Sequence, residues 1–241
     1  MNISDMDAAT ATQDSDQTIV LVLADIAPAS LVWGWTRIVK GPSPWLAIDG
    51  MRFAKVMGSG YEGGFSLKPS SSRQGLFLVF HTALAATDFL AQSTMLQGYR
   101  ERTRELCIVQ MRTWSCRGSW DGTALDVTCS APTQGPIAAL TRASIHLHKA
   151  PAFWNHAPPS QNAIEGVQGV QLAVGLGEAP FLRQATFTIW DNVPAMDAYA
   201  RSGPHLEAIK AAAQHQYFSE SMFARFVPIA IEGRWKDRDY A

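Results

Sequence analysis

His205 has the most suggestive chemical setting in the chain, within Ser202-Gly-Pro-His-Leu-Glu207. Pro204 suits the first position of a helix, with Gly203 or Ser202 ahead of it as the cap, so His205 falls in the first helical turn. The positive end of a helix disfavours imidazolium. A neutral imidazole is the form that ligates a metal. The same setting also suits a half-buried histidine that only hydrogen-bonds a loop, and both readings stand at this level. His146 and His148 alternate in Ile145-His-Leu-His148 and would share one face of a strand. With a carboxylate they would make a facial triad for non-haem iron. No Asp or Glu can be assigned to them, and a solvated strand face is the plainer account. His215 lies ten residues after His205. That is about 15 Å along a helix axis, too far to share one metal.

Other patterns exclude more than they suggest. Gly58-Ser-Gly-Tyr-Glu-Gly63 matches the dinucleotide fingerprint. The segment after it, Gly64-Phe-Ser-Leu-Lys-Pro69, cannot open the helix that a pyrophosphate needs. It reads as a flexible loop at a pocket mouth. The 3 cysteines, Cys107, Cys116 and Cys129, form no C-x-x-C pair, which excludes a disulfide framework and a Cys-built zinc site. Cys107 sits in the apolar run Leu106-Cys-Ile-Val109 and reads as a packed thiol. A Gly-x-Ser-x-Gly elbow and a P-loop are both missing.

The elements that would position His205 come in two similar sets. Phe53-Ala-Lys-Val-Met-Gly-Ser-Gly60, Leu76-Phe-Leu-Val-Phe80, Asp88-Phe-Leu-Ala-Gln-Ser93 and Arg117-Gly-Ser-Trp120 recur in order. Their counterparts are Leu172-Ala-Val-Gly-Leu-Gly177, Ala185-Thr-Phe-Thr-Ile-Trp190, Asp197-Ala-Tyr-Ala-Arg-Ser202 and Glu232-Gly-Arg-Trp235. In the first set, strands are expected at Thr18 to Ile26, Arg52 to Gly58, Gly75 to Phe80 and Leu106 to Trp114. Helices are expected at Ala29 to Val39 and Leu84 to Arg104. The second set gives strands at Leu140 to Leu147, Val170 to Gly177, Gln184 to Trp190 and Val227 to Gly233. Its helices fall near Ala152 to His156 and at Val193 to Ser202, Pro204 to Gln214 and Ser219 to Arg225. The order is βαββαβ twice, the ferredoxin-like unit. Ile19-Val-Leu-Val-Leu23 and Leu76-Phe-Leu-Val-Phe80 are apolar on both faces, so helices cover one side and a second sheet the other. The expected fold is therefore α+β, with two tandem repeats closing one barrel within the chain. The expected divisions are a disordered tail at 1–17, an N-terminal repeat at 18–133 and a C-terminal repeat at 134–241.

The chain has 20 basic and 21 acidic residues in 241, a balance that excludes a nucleic-acid footprint and a polybasic patch. No apolar run approaches the ~20 residues of a spanning helix. The start lacks a signal-peptide pattern, so the expected setting is cytoplasmic. Trp33, Trp35 and Trp45 would mark a further interface.

Pro136-Ile-Ala-Ala-Leu-Thr-Arg-Ala-Ser-Ile145, Gly175-Leu-Gly-Glu-Ala-Pro180, Gln184-Ala-Thr-Phe-Thr-Ile-Trp190, Met196-Asp-Ala-Tyr-Ala-Arg201 with Gly203-Pro-His205, Phe223-Ala-Arg-Phe226 and Met57-Gly-Ser-Gly60 resemble the spheroidene monooxygenase family. The likeness runs from about Ile19 to Trp235 and is strongest after Pro136. This chain has Ala54 where the family commonly has an aromatic residue beside Lys55. The resemblance implies an oxygenase of the carotenoid pathway that forms a ketone near the end of a long polyene. It also implies the dimeric α+β-barrel fold, haem iron, molecular oxygen and an external electron donor such as a ferredoxin.

On that reading His205 is the axial iron ligand, since a porphyrin supplies the other four nitrogens. Arg142 and Gln184 are the candidate catalytic groups beside bound oxygen. Arg183 and Trp190 are candidate cofactor contacts, with Lys55 and Arg201 as further partners for propionates. Arg142 points opposite Ala143 and Ile145 and so enters the barrel. Two alternatives remain open: a haem enzyme that is not an oxygenase, of the aldoxime dehydratase type, and a non-enzymatic carrier of haem or a lipophile. The tandem repeat allows a monomer as well as a homodimer. Peripheral membrane contact fits a carotenoid substrate, although no basic amphipathic helix stands out.

Overall fold

Ile19-Val-Leu-Val-Leu23 is apolar on both faces because both faces are buried. A computed structural model describes residues 16–64, 68–156, 164, 166–179, 181–201 and 203–240. In it, strand β1 (Thr18–Ile26) is buried throughout. Ile19, Leu21 and Leu23 enter a central core. Val20, Val22, Ala24 and Ile26 face outward, against a helical layer. That layer comprises α1 (Leu31–Lys40), the short α2 (Ser43–Leu46), α3 (Ala83–Gln92) and α4 (Thr94–Arg102). The first half is completed by β2 (Met51–Gly60), β3 (Pro69–Phe80) and β4 (Thr103–Gly118). The second half contains β5 (Ile137–Ile145), α5 (Ala150–His156), β6 (Val170–Ala179), β7 (Arg183–Trp190), α6 (Val193–Ala200), α7 (Gly203–His215) and β8 (Phe218–Trp235), with β9 (Arg238–Tyr240) appended.

The sheet order is β4-β1-β3-β2-β6-β7-β5-β8, and β8 pairs back onto β4. Eight antiparallel strands therefore close a ring. Each half repeats the 4-1-3-2 order of the ferredoxin-like unit, so the expected α+β architecture is the one observed. The seam between β4 and β8 is long, from Cys107 opposite Gly233 to Gly118 opposite Met222. The seam between β2 and β6 is short, with Gly58 opposite Gly177 and Ser59 opposite Leu176. There the Ser59 hydroxyl donates to the Gly175 carbonyl at 2.7 Å.

Several boundaries differ from the sequence reading, each for a visible reason. The helix expected over Leu84 to Arg104 breaks at Ser93, whose backbone is extended (φ −67°, ψ 115°) and whose hydroxyl caps α4 by accepting from the Leu96 amide. Ser219 to Arg225, expected as a helix, is the first half of β8. Met222, Ala224 and Phe226 alternate into the core, and β4 and β5 pair with the segment from both sides. The strand holding His146 and His148 ends at Ile145, and a 3-10 turn at Leu147–Lys149 follows. The two rings lie 5.5 Å apart on that turn rather than along a strand face. Residues 1–15 of the expected tail lie outside the described residues. Gln17 is buried, and its side chain bonds Asp126 as donor to the carboxylate and acceptor from the amide.

The repeat is most exact where each half ends. Trp120 and Trp235, both buried, enter the central core after β4 and β8. The amides of Asp121 and Gly122 donate to the Glu220 carboxylate, and those of Lys236 and Asp237 to Glu105. Glycine precedes both tryptophans at positive φ, Gly118 at 80° and Gly233 at 95°. A Cβ there would collide with the carbonyl oxygen of Ser221 or of Leu106. Gly118→Ala and Gly233→Ala should each destabilise the fold by more than the ~1–2 kcal/mol that a left-handed φ costs by itself. Gly122→Ala, at φ 74° with open space around it, should stay near that figure. Chemical denaturation of the three variants measures this order.

Candidate functional site

Two regions gather polar chemistry, one inside the barrel and one outside it. The inner region lies at the mouth where β5, β6 and β8 meet the loop after β4. Arg142 does enter the barrel, with its side chain 1% exposed. What meets it there is protein carboxylate. Its guanidinium bonds Glu220 and lies 3.5 Å from Asp121 and 3.6 Å from Glu178. Lys55 joins the same group, bonding Asp121 and lying 2.8 Å from Glu178. The Trp120 indole donates to Glu178 at 2.7 Å and carries the Arg142 guanidinium over its ring at 5.4 Å. Arg183, half-exposed at the rim, lies 3.9 Å from Glu178.

This placement gives both arginines protein partners. Arg142 and Arg183 face the interior and its rim, and their charges are taken by the chain's own acids. Neither faces the helical side of the sheet. Arg201 pairs with Asp197 on the surface at 3.0 Å. Ala54 packs in the N-terminal helical layer. Cys107 is a packed thiol as expected, pushed up to about 12 by burial and by Glu232. The Gly58 fingerprint runs from β2 into a single 3-10 turn at Tyr61–Gly63, and no helix follows among the described residues. Residues 65–67 of that loop lie outside the described residues.

The outer region is the helical face of the C-terminal sheet. Gln184, half-buried, stands opposite Ala143 and Gly177 and points to this side. Its amide donates to the Ala179 carbonyl at 3.5 Å. Thr141, Ala139, Ala173, Gly175, Thr186 and Thr188 share the face. Most of these positions are small and only partly covered. At the edge, Trp190 is buried under α6 with Ile137, Ile164 and Met196. Its indole donates to the Thr188 hydroxyl at 2.8 Å and its ring lies 5.3 Å from Tyr199. The equivalent face of the N-terminal half is different. There Val20, Val22, Leu76, Leu78 and Phe80 are all fully buried beneath α1, α3 and α4.

Helix α7 packs against α5 and α6. His205 is its third residue, in the first turn, as the Gly-Pro spacing predicts. Its side chain lies outside the described residues. The other end of the helix is fastened, with Lys149 donating to the carbonyls of His215 at 2.8 Å and Gln216 at 2.9 Å. A cation at a helix C-terminus also suits the backbone dipole.

Sequence reasoning missed the acids of the inner group. Lys55 between Phe53 and Met57 sits on the inward face of β2, so period two could have placed it. Asp121 and Glu178 close around it only through the barrel, and no local pattern joins them. Among the described residues no group of three or more His, Cys, Asp or Glu could hold a metal.

Comparison with solved structures gives the class. An aldoxime dehydratase crystallised with butyraldoxime matches at a TM-score of 0.56, covering 90% of this chain and 80% of that one at 10% identity. The fold is the dimeric α+β barrel, here made within one chain. A spheroidene monooxygenase of Rubrivivax gelatinosus is 56% identical over 229 residues, covering 95% of this chain and 89% of that protein. One from Rhodobacter capsulatus is 33% identical over 215 residues, covering 88% and 89%. No protein-family model matches the chain. The chain belongs to the spheroidene monooxygenase family, and its activity is that of a monooxygenase.

The inner group has a pH signature. Burial pushes the Glu220 carboxyl up, but the Gly122 amide, the Ser119 hydroxyl, Arg142 and the Asp121 amide outweigh it and hold the group at about 2, below its ordinary 4.5. Between those values the unfolded chain takes the proton first, so the contribution of Glu220 is complete above 4.5 and is lost as pH falls toward 2. Glu220→Gln should flatten the acid side of the stability profile. Arg142→Met should cost about 1–3 kcal/mol, because Glu220 loses its cationic partner while Ser119 and two amides still hold it. Denaturant titrations across pH test both.

Proposed function

We propose that this monooxygenase is haem-dependent and acts on a long apolar substrate, a carotenoid polyene. The haem would lie between the outer face of the C-terminal sheet and the helices of that half, with His205 as the residue that would hold its iron. The observation that carries this reading is the contrast between the two outer faces. Val, Leu and Phe fill the N-terminal one. The C-terminal one is floored by Ala139, Thr141, Ala173, Gly175 and Thr186, and the same half carries the helix that begins Gly203-Pro-His205. A flat macrocycle needs such a floor, because large side chains would occupy its volume.

When bound, haem supplies oxygen activation and accepts electrons from a donor protein. The chain's own residues do the rest. Gln184 presents an amide to the outer face and can donate a hydrogen bond there. Trp190 closes one edge and excludes water. Lys149 fixes the far end of α7, which keeps the His205 turn in register with the floor. The relatives' printed name supports a carotenoid as substrate. Insertion of one oxygen atom from O2 leaves the other as water, so each turnover requires two electrons. An external donor such as a ferredoxin would supply them.

Titration with haem should give an intense Soret band. His205→Ala should abolish or shift that band while the thermal melt is retained. Thr186→Trp, which fills the floor, should also weaken haem binding. Unchanged haem binding in both variants would overturn the proposed site. Oxygen uptake matched to product, with spheroidene as substrate, tests the reaction itself.

A further inference from the structure

Helix α1 has one face against the protein and one against nothing. On the inner side Gly34 lies so close to the sheet that a Cβ would fall 2.9 Å from the Gln74 side chain and 3.0 Å from Ile26. Leu31, Trp33 and Ile38 pack against the N-terminal outer cluster. On the outer side Val32 is 80%, Trp35 46% and Val39 84% exposed, a stripe at positions i, i+3 and i+7. Leu46 of α2 adds to it at 48%, whereas the adjacent Trp45 is buried. No acidic residue occurs between Leu31 and Ile48, and Arg37 and Lys40 are both basic. The Arg37 and Arg102 guanidinium groups flank the Trp33 ring at 5.1 Å and 5.3 Å. No helix among the described residues is long and apolar enough to cross a membrane.

We infer that the exposed face of α1 and α2, centred on Val32, Trp35 and Val39, seats the protein on the surface of an anionic lipid bilayer. A convex helix with an apolar stripe, an interfacial tryptophan and basic flanks lies in the boundary between acyl chains and headgroups. The charge selects the occupant. A second copy meeting this face on a two-fold axis would bring Arg37 and Lys40 of both chains together, with no acid on α1 or α2 to pair them. Anionic headgroups supply that pairing. The inference goes beyond the proposed haem site and depends on neither the cofactor nor the substrate.

Flotation of the full chain with vesicles tests it. Vesicles of phosphatidylcholine with phosphatidylglycerol should capture the protein. Vesicles of phosphatidylcholine alone should capture much less, and added salt should narrow the difference. The double change Val32→Asp with Val39→Asp should lower capture at least about tenfold, since apolar burial drives insertion. Its melting temperature should stay within a few degrees of the parent, because both side chains are exposed. Lys40→Glu should weaken capture by anionic vesicles only. Leu84→Asp, exposed on α3, should leave capture unchanged. Capture by neither vesicle, or equal capture of the double variant, would overturn the inference. So would a dimer in gel filtration that Val39→Asp converts to a monomer, which assigns the face to a second copy.

Discussion

The eight-stranded ring is filled by its own side chains, and that constraint governs everything else in this molecule. Phe77, Phe187 and Phe226 meet in the centre with Val79, Val174 and Met111. Trp120 and Trp235 fill the volume from the two ends. The chamber that two stacked sheets suggest is thus a packed core. A ligand larger than a side chain has to find its place outside the ring, between a sheet and its helices. The barrel serves as a rigid hub with two outer faces, one filled by large side chains and one lined mostly by small residues.

Duplication explains why the division was open to this chain. Both halves end in the same device, a glycine at positive φ, a tryptophan entering the core, and two amides on an acid at the start of the last strand. That device closes each mouth and does not depend on what lies outside. The outer faces were therefore free to diverge. In the N-terminal half large side chains bury the face completely. In the C-terminal half the same register positions carry Ala, Thr and Gly.

The repeat was legible because its landmarks are rare residue types at nearly constant offsets. Gly and Trp at the ends of β4 and β8 have no substitute for a left-handed turn and a large plug. The doubly apolar β1 likewise announced a strand buried on both faces. Helix starts were readable where a side chain caps them. Ser219 to Arg225 was misread although Met222, Ala224 and Phe226 keep period two, because the apolar Phe223 between them blurs the alternation. Only pairing with β4 and β5 decides for a strand. The start of the helix that carries His205 was legible from Gly203-Pro204. The acids around Arg142 were not, since Asp121, Glu178 and Glu220 come together only when the ring closes.

That inner group links the two regions. Arg142 sits between Thr141 and Ala143 on β5, so one strand carries the buried charge inward and the small floor outward. Glu178 extends β6 and Glu220 opens β8, whose neighbouring residues belong to the same outer face. Ion pairs buried this deeply add little net stability against an apolar core, but they demand particular partners at particular distances. Their effect is therefore on register. A one-residue slip of β5 would put Arg142 among the helices and Ala143 among the carboxylates. The charges inside the ring fix which small residues lie outside it, and the shape of the outer face follows from electrostatics on the opposite side of the same strands.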